Sequence, residues 1–194
     1  MDANSPAAER IERAAALVRA QEKDALNPTK AWHIDTQHRC LPRGVARGIY
    51  GTQFRLLQFP GYVVLLSETY ERYRIIRLGV PHIEPQIKLW MGDPVGRWEG
   101  NTLVVDLTNV NAKPRLSIVG DFYSENAHIV ERLTFIDAKT LNYTATFNDP
   151  TVYTRPWTLA VFLGRVPNEE FWESACREGE RGLLWPKDTG DAPR

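Results

Sequence analysis

Cysteines, histidines and long apolar runs are scarce in this chain of 194 residues, and each shortage argues against a class of protein. Two cysteines are too few for a disulfide scaffold. No apolar run approaches the roughly 20 residues that cross a bilayer as a helix, so we expect no membrane partner. Lys plus Arg and Asp plus Glu both number 24. This balance argues against a nucleic-acid partner, whose phosphates attract a basic surface.

The first residues do not have the pattern of a secretory leader. Glu and Arg are scattered where a leader has a continuous apolar segment. We therefore predict a cytoplasmic protein. In that reducing compartment Cys40 and Cys176 should both be free thiols.

A single amphipathic helix is predicted over residues 1–27. Ser5 suits its N-cap, Pro6 suits its first turn, and Asn27-Pro28 ends it. Apolar residues recur at helical spacing along one face, among them Ile11, Ala15 and Val18. This face predicts packing against the rest of the chain or against a second copy, so a homodimer through the helix is one expectation.

Beyond residue 53 the apolar period changes from that of a helix to two, the period of a strand. Turn residues separate eight runs rich in Val, Ile, Thr and aromatics: 54–59, 62–70, 73–78, 101–110, 127–136, 140–148, 157–164 and 171–177. No helix-length segment lies between them, which favours an antiparallel meander. We predict a mainly β fold, a single antiparallel barrel of lipocalin or calycin type over residues 28–185, with an open sandwich as the alternative. Residues 186–194 are predicted to be a flexible tail.

Alternation along the strands places charged groups on faces that are otherwise apolar. Glu131 shares the face of Ile129 and Leu133, and the same reasoning turns Glu68 and Arg74 inward. A buried carboxylate has to be paired, protonated or in contact with a wet cavity. Two interpretations stay open: a structural ion pair with an arginine, or a polar centre that acts on a ligand.

The motifs of several familiar chemistries do not occur. The four histidines lack metal-ligand spacing, and neither cysteine has a CxxC partner. No GxGxxG, Walker or GxSxG motif is present. We therefore predict no metal and no cofactor.

What remains is acid–base chemistry by side chains alone. The candidate catalytic residues are Glu131, Glu68, His82 and Arg74. Arg74 would bind a substrate anion, a carboxylate would act as general acid or base, and His82 would carry the second proton. Aromatic side chains suit the walls of a pocket, and the candidates for substrate binding are Tyr70, Tyr143, Trp90 and Trp157.

Several blocks together resemble a known family. They include CLPRGVAR (40–47), WMGDPVGRWEGNTLVVD (90–106), HIVERLTFIDAKTLNY (128–143) and ESACREG (173–179). Residues 38–180 resemble a large uncharacterised bacterial family of small β-rich proteins, many of them secreted, marked by W-M-G-D-x-x-G-R-W-E-G-x-T-L-V-V. That resemblance implies a β-rich fold and no particular reaction. A looser resemblance, to cofactor-independent decarboxylases of lignin-derived phenylcoumaran dimers, implies chemistry on an aromatic substrate.

These observations predict a cofactor-independent lyase that decarboxylates, or eliminates from, a small aromatic acid or phenol held in a barrel pocket. The alternative is a non-catalytic, lipocalin-like binding protein for an apolar small molecule. Inward charges favour the enzyme, because a carrier needs only one satisfied polar anchor. A third hypothesis is an interaction protein that binds its partner through the N-terminal helix.

Overall fold

The computed structural model describes residues 6–69, 72–117, 121–172 and 176. Its helices are α1 (Pro6–Leu26), α2 (Arg47–Tyr50) and two single-turn 3₁₀ helices, Ala31–His33 and Gln37–Arg39. Its strands are β1 (Phe54–Phe59), β2 (Tyr62–Ser67), β3 (Arg72–Leu78), β4 (Asp93–Glu99), β5 (Thr102–Thr108), β6 (His128–Phe135), β7 (Thr140–Asn148) and β8 (Trp157–Gly164). The fold is therefore mostly β, as the sequence predicts.

The eight strands form one curled sheet in chain order, from β1 to β8. The sheet is an open half-barrel, so the predicted closed barrel is wrong. The meander is also not wholly antiparallel, because β3 and β4 run parallel. Their ladder joins only Arg77 to Val95 and Leu78 to Gly96, whereas neighbouring strands elsewhere pair along most of their length. A closed barrel needs the first and last strands to pair as well, and in the described chain β1 and β8 are not neighbours.

The N-terminal helix is confirmed, and α1 ends one residue before Asn27. The amide of Asn27 still bonds the carbonyl of Lys23 at 3.0 Å. Lys23 lies in the last turn, where a cation favours the negative end of the helix dipole. Leu17 and Leu26 stay exposed on this helix. Within the described residues, no helix combines the length and the apolarity that crossing a membrane requires.

Strand β4 is the element that the alternation pattern missed. It carries Pro94 and Gly96, both of which lower strand propensity. Pro94 lies outside the short ladder with β3, and β4 pairs with β5 along its whole length. Gly96 is needed for packing, since an added Cβ would come within 2.6 Å of Ile76 Cγ2. Conversely, the strand predicted at 171–177 is not formed by Phe171, Trp172 or Cys176, and its other residues lie outside the described part.

The concave face of the sheet holds the core, and it follows the predicted alternation on β6 and β7. Ile129, Glu131 and Leu133 are fully buried, as are Tyr143 and Phe147 on the next strand. On β2 the prediction chose the wrong face. Val63 and Leu65 point inward there, rather than Val64 and Leu66. Because VVLL is apolar at every position, alternation carries no information about that strand.

Candidate functional site

Three polar side chains meet inside the apolar core. Arg74 on β3 faces Glu131 on β6, and Tyr143 on β7 completes the group, which we call the buried triad. Arg74 Nη2 lies 2.7 Å from Glu131 Oε2, and Nη1 donates to Oε1 at 3.2 Å. The Tyr143 hydroxyl donates to the same Oε1 at 2.6 Å. The carboxylate thus has two partners, which a buried charge requires.

The sheet register brings the triad together. Glu131 pairs across β6 and β7 with Ala145, so Tyr143 is its diagonal neighbour on the same face. Glu131 has no exposed surface, and Arg74 is 5% exposed. Burial raises the pKa of Tyr143 well above its usual value, and the Glu131 charge raises it further. The phenol therefore stays protonated and serves as a hydrogen-bond donor.

A pocket of about 290 Å³ opens beside the triad, where β1 and β3 begin and β2 ends, under the segment 42–49. We call it the arginine pocket, because Arg43, Arg72 and Arg74 line it. Its other walls are mainly apolar: Val45, Ile49, Phe54, Leu65 and Met91. No acidic side chain occurs among the described residues that line it. The cavity is at the small end of the range for ligand sites, and its shape and charge suit a small molecule with an anionic end.

The guanidinium groups at the rim also hold the backbone in place. Arg43 donates to the carbonyl of Gly51 at 2.5 Å, and Arg72 donates to the carbonyl of Cys40. Polar groups continue beside them, with the Thr52 and Thr69 hydroxyls 2.5 Å apart. Side chains that line the pocket therefore also position the backbone at its mouth.

Cys40 is joined to Cys176 by a disulfide, with Cα atoms 5.6 Å apart. The expectation of two free thiols is therefore wrong. The bond ties a residue near the C-terminus to the loop that leads into the arginine pocket. The sequence argument failed because it took the redox state from a compartment that the pattern of the first residues suggested, and distance along the chain says nothing about distance in space.

His82 lies in a different polar cluster, on the loop between β3 and β4. Its ring nitrogens contact Asp93 Oδ2 at 2.9 Å and Asp106 Oδ1 at 3.0 Å. Asp106 also bonds His128 Nε2 at 3.0 Å, and Asp93 bonds Arg77 at 2.8 Å. His82 does not line the arginine pocket. The structure thus separates His82 from Arg74 and Glu131, with which the sequence analysis grouped it.

The two carboxylates of this cluster are held as anions. Burial alone raises the pKa of Asp93, but hydrogen bonds from the Ile83 amide, His82 and Arg77 outweigh it and lower the pKa. At Asp106, burial is likewise outweighed by the two histidines, so its pKa is also lowered. Asp93 is the acidic residue of the WMGD block. Its bonds to His82 and to the Ile83 amide hold the loop in place, so this part of the motif has a structural role.

The other predicted site residues are scattered. Glu68 lies just past β2 and accepts a bond from the Trp172 amide at 2.9 Å. Trp157 stacks on Phe147, with ring centroids 4.6 Å apart. Trp90 lines a separate cavity, and Tyr70 lies outside the described residues. Of the eight predicted residues, the structure therefore brings together Arg74, Glu131 and Tyr143.

Sequence reasoning missed Arg43 and Arg72 as lining residues. Arg43 belongs to the Arg-rich segment HRCLPRGVARG. That composition marks the segment as unusual but does not indicate which of its residues would line a pocket. Arg72 occupies a turn between two predicted strands, and only the folded sheet turns it toward the cavity. In the described part of the chain, His, Cys, Asp and Glu side chains form no group of three suited to a metal. The absence of a metal or cofactor stays a prediction.

Comparisons with protein-family models, with curated proteins and with solved structures find no match for this chain. The likeness to the bacterial β-rich family stays a prediction, and function has to be argued from the chemistry of the site.

Proposed function

We propose that this protein binds a small, flat, anionic molecule, such as an aromatic acid or a phenolate, in the arginine pocket. The observation that carries the proposal is the combination of three arginines with otherwise mainly apolar walls around one cavity. The apolar walls would cover a ring, and the guanidinium groups would take its anionic end. The sequence analysis named a binding protein for an apolar small molecule as its alternative. The present proposal differs from that alternative in that the ligand carries a negative charge.

The buried triad supports this role by holding Arg74 in place. Both terminal nitrogens of Arg74 lie against Glu131, which fixes the plane of the guanidinium at the pocket wall. A fixed anchor loses less conformational entropy when a ligand arrives. Arg43 and Arg72 line the same pocket and place two further guanidinium groups at its rim.

A cofactor-independent lyase is the second candidate, favoured by the 2.6 Å hydrogen bond between Tyr143 and Glu131 behind Arg74. In a decarboxylation the bond between the ring and the carboxylate would break, CO₂ would leave, and the carbon would take up a proton. Tyr143, whose hydroxyl bonds Glu131 behind Arg74, would be the group to supply that proton. Neither residue lines the pocket, so a binding role ranks first.

Calorimetric titration with 4-hydroxybenzoate tests the proposal, with 4-hydroxybenzyl alcohol as the neutral control. We expect saturable binding of the acid and at least about tenfold weaker binding of the alcohol, the difference made by one charge-assisted contact. Arg72→Gln should weaken the binding of the acid by a similar factor. Arg165→Gln, an exposed arginine just after β8, should change nothing.

Equal affinity for the acid and the alcohol would overturn the proposal, as would an Arg72→Gln variant that binds like the wild type. If the acid is recovered unchanged after long incubation, the protein binds it without reaction, and the lyase candidate is excluded for this compound. Release of CO₂ at many turnovers per protein would establish the lyase instead.

We further propose that the protein folds in an oxidising compartment. Disulfides persist there and are rare in the cytoplasm. The bond between Cys40 and Cys176 therefore favours an oxidising compartment over the cytoplasm. The cytoplasmic location is a prediction from the sequence that the structure does not test. Dimerisation through α1 also stays a proposal, supported by Leu17, which is exposed on that helix.

A further inference from the structure

A second cavity, of about 480 Å³, lies away from the arginine pocket. It is bounded by the last turns of α1, by the segment 32–41 and by the segment 112–115. Two tryptophans, Trp32 and Trp90, stand on its walls, so we call it the tryptophan cavity. Among the described residues, none lines both this cavity and the arginine pocket.

The guanidinium groups of Arg39 and Arg115 lie half-buried at the walls of the tryptophan cavity. Within the described chain, neither Arg39 nor Arg115 has a carboxylate at ion-pair distance. Nε of Arg39 and Nη1 of Arg115 are buried without a hydrogen-bond partner, and Arg115 Nη2 reaches only the carbonyl of Trp32, at 3.5 Å. Burial lowers the pKa of both groups, and the Arg115 charge lowers that of Arg39 further. Like charges held close together and away from water are costly unless an anion joins them.

The nearest carboxylates are already engaged. Asp35 is buried and accepts both terminal nitrogens of Arg47, at 2.7 and 3.0 Å, together with the Gln37 amide at 3.0 Å. Asp24 lines the cavity, lies 3.5 Å from His33 Nε2 and is partly exposed. Asp35 thus spends its hydrogen bonds on Arg47 and Gln37. It acts on Arg39 and Arg115 only through its charge, which raises the pKa of both groups less than burial lowers it.

Counting the charged walls gives an excess of positive charge. Among the described lining residues, Arg39, Lys113 and Arg115 are basic and Asp24 is acidic. Lys113 Nζ also lies 5.5 Å from the centre of the Trp90 ring, so cation and ring belong to the same wall. Two net positive charges beside an aromatic surface suit a doubly charged oxyanion carried by a flat ring.

We infer that the tryptophan cavity is a second binding site, and that it takes an aromatic phosphate monoester. The phosphate would accept from the free nitrogens of Arg39 and Arg115, which are directional donors, while the ring would lie against Trp32 or Trp90. The dianion would also balance the excess charge of the walls. This inference does not depend on the arginine pocket having a ligand.

Phenyl phosphate is the probe, titrated at fixed ionic strength and followed by tryptophan fluorescence and calorimetry. Phenol and inorganic phosphate are the controls for its ring and its charge. We expect saturable binding of phenyl phosphate with a change in fluorescence, no binding of phenol, and weaker binding of inorganic phosphate. Added salt should weaken the binding, as expected of a partly exposed charged site.

Variants assign the binding to this cavity. Arg39→Gln and Arg115→Gln should each lower the affinity for phenyl phosphate by about tenfold or more. This is the factor expected for a lost charge-assisted hydrogen bond. Exposed Lys113→Gln should weaken it without affecting folding, and it keeps the test valid if an arginine variant is unstable. Arg155→Gln, an exposed arginine before β8, is the matched control.

The inference would be overturned by phenyl phosphate that does not bind, or by binding that none of the three cavity variants changes. A crystal soaked with phenyl phosphate should show the phosphorus atom between Arg39 and Arg115.

Discussion

Replacing Glu131 by Gln is the sharpest test of what the buried triad does. The substitution keeps the shape of the side chain and removes its charge. Arg74, which is 5% exposed, then loses the carboxylate that it contacts at 2.7 Å. Tyr143 can still donate to the amide oxygen at the former Oε1 position, so the change isolates the ion pair.

The expected cost follows from the burial of the pair. Glu131 has no exposed surface, so water cannot replace the carboxylate beside the guanidinium. Removing one partner of a buried pair costs about 3–5 kcal/mol in free energy of unfolding. Domains of this size lose roughly 2–4 °C of melting temperature per kcal/mol, so the midpoint should fall by roughly 6–20 °C.

Urea unfolding followed by tryptophan fluorescence measures the loss. Glu99→Gln is the matched control, because Glu99 also contacts two guanidinium groups, those of Arg97 and Arg132, but on the exposed side of the sheet. Its unfolding midpoint should hardly move, since exposed ion pairs contribute little. The triple variant Glu131→Leu, Arg74→Met, Tyr143→Phe should recover much of the stability, because it removes all three polar groups together.

A Glu131→Gln protein that melts within about 2 °C of the wild type would refute this reasoning, since it would mean a loss of less than about 1 kcal/mol. If that stable variant also lost turnover by about 10²-fold, Glu131 would be a catalytic carboxylate and the lyase candidate would be favoured. If instead the triple variant were as unstable as the single one, an uncompensated arginine would not be the cause.

Three further outcomes are expected. Denatured, unreduced protein should show no thiol from Cys40 or Cys176, and reduction should lower stability by about 2–4 kcal/mol, a size that direct unfolding measurements resolve; two titratable thiols would contradict the bond. Gly96→Ala should destabilise by about 1–3 kcal/mol through overpacking, while Gly164→Ala, where an added Cβ meets nothing within 4 Å, should not; equal melting temperatures would refute the packing argument. Because the folded-state pKa of Asp106 is lowered, its contribution is present above the unfolded pKa of about 4 and is lost as the pH falls through the folded value. Asp106→Asn should therefore melt with a weaker pH dependence in acid, and an unchanged dependence would exclude this role.

Part of the candidate site could be predicted from the sequence because alternation carries information on strands with one apolar face. On β6 a lone glutamate among Ile and Leu marks an inward charge, and on β3 Arg74 shares its face with Ile76. The same method failed at Glu68, because β2 is apolar on both faces. It also failed at His82, whose place depends on a loop and not on a periodic element.

The sequence by itself determined the N-terminal helix, seven of the eight strands and the inward direction of Arg74, Glu131 and Tyr143. These follow from local periodicity and from turn residues, which act over a few positions of the chain. Only the tertiary structure decided that the sheet stays open, that β3 and β4 run parallel, and that Cys40 bonds Cys176. It also decided which arginines share a cavity. Such features depend on contacts between residues far apart in the chain, whose spacing in space no local pattern records.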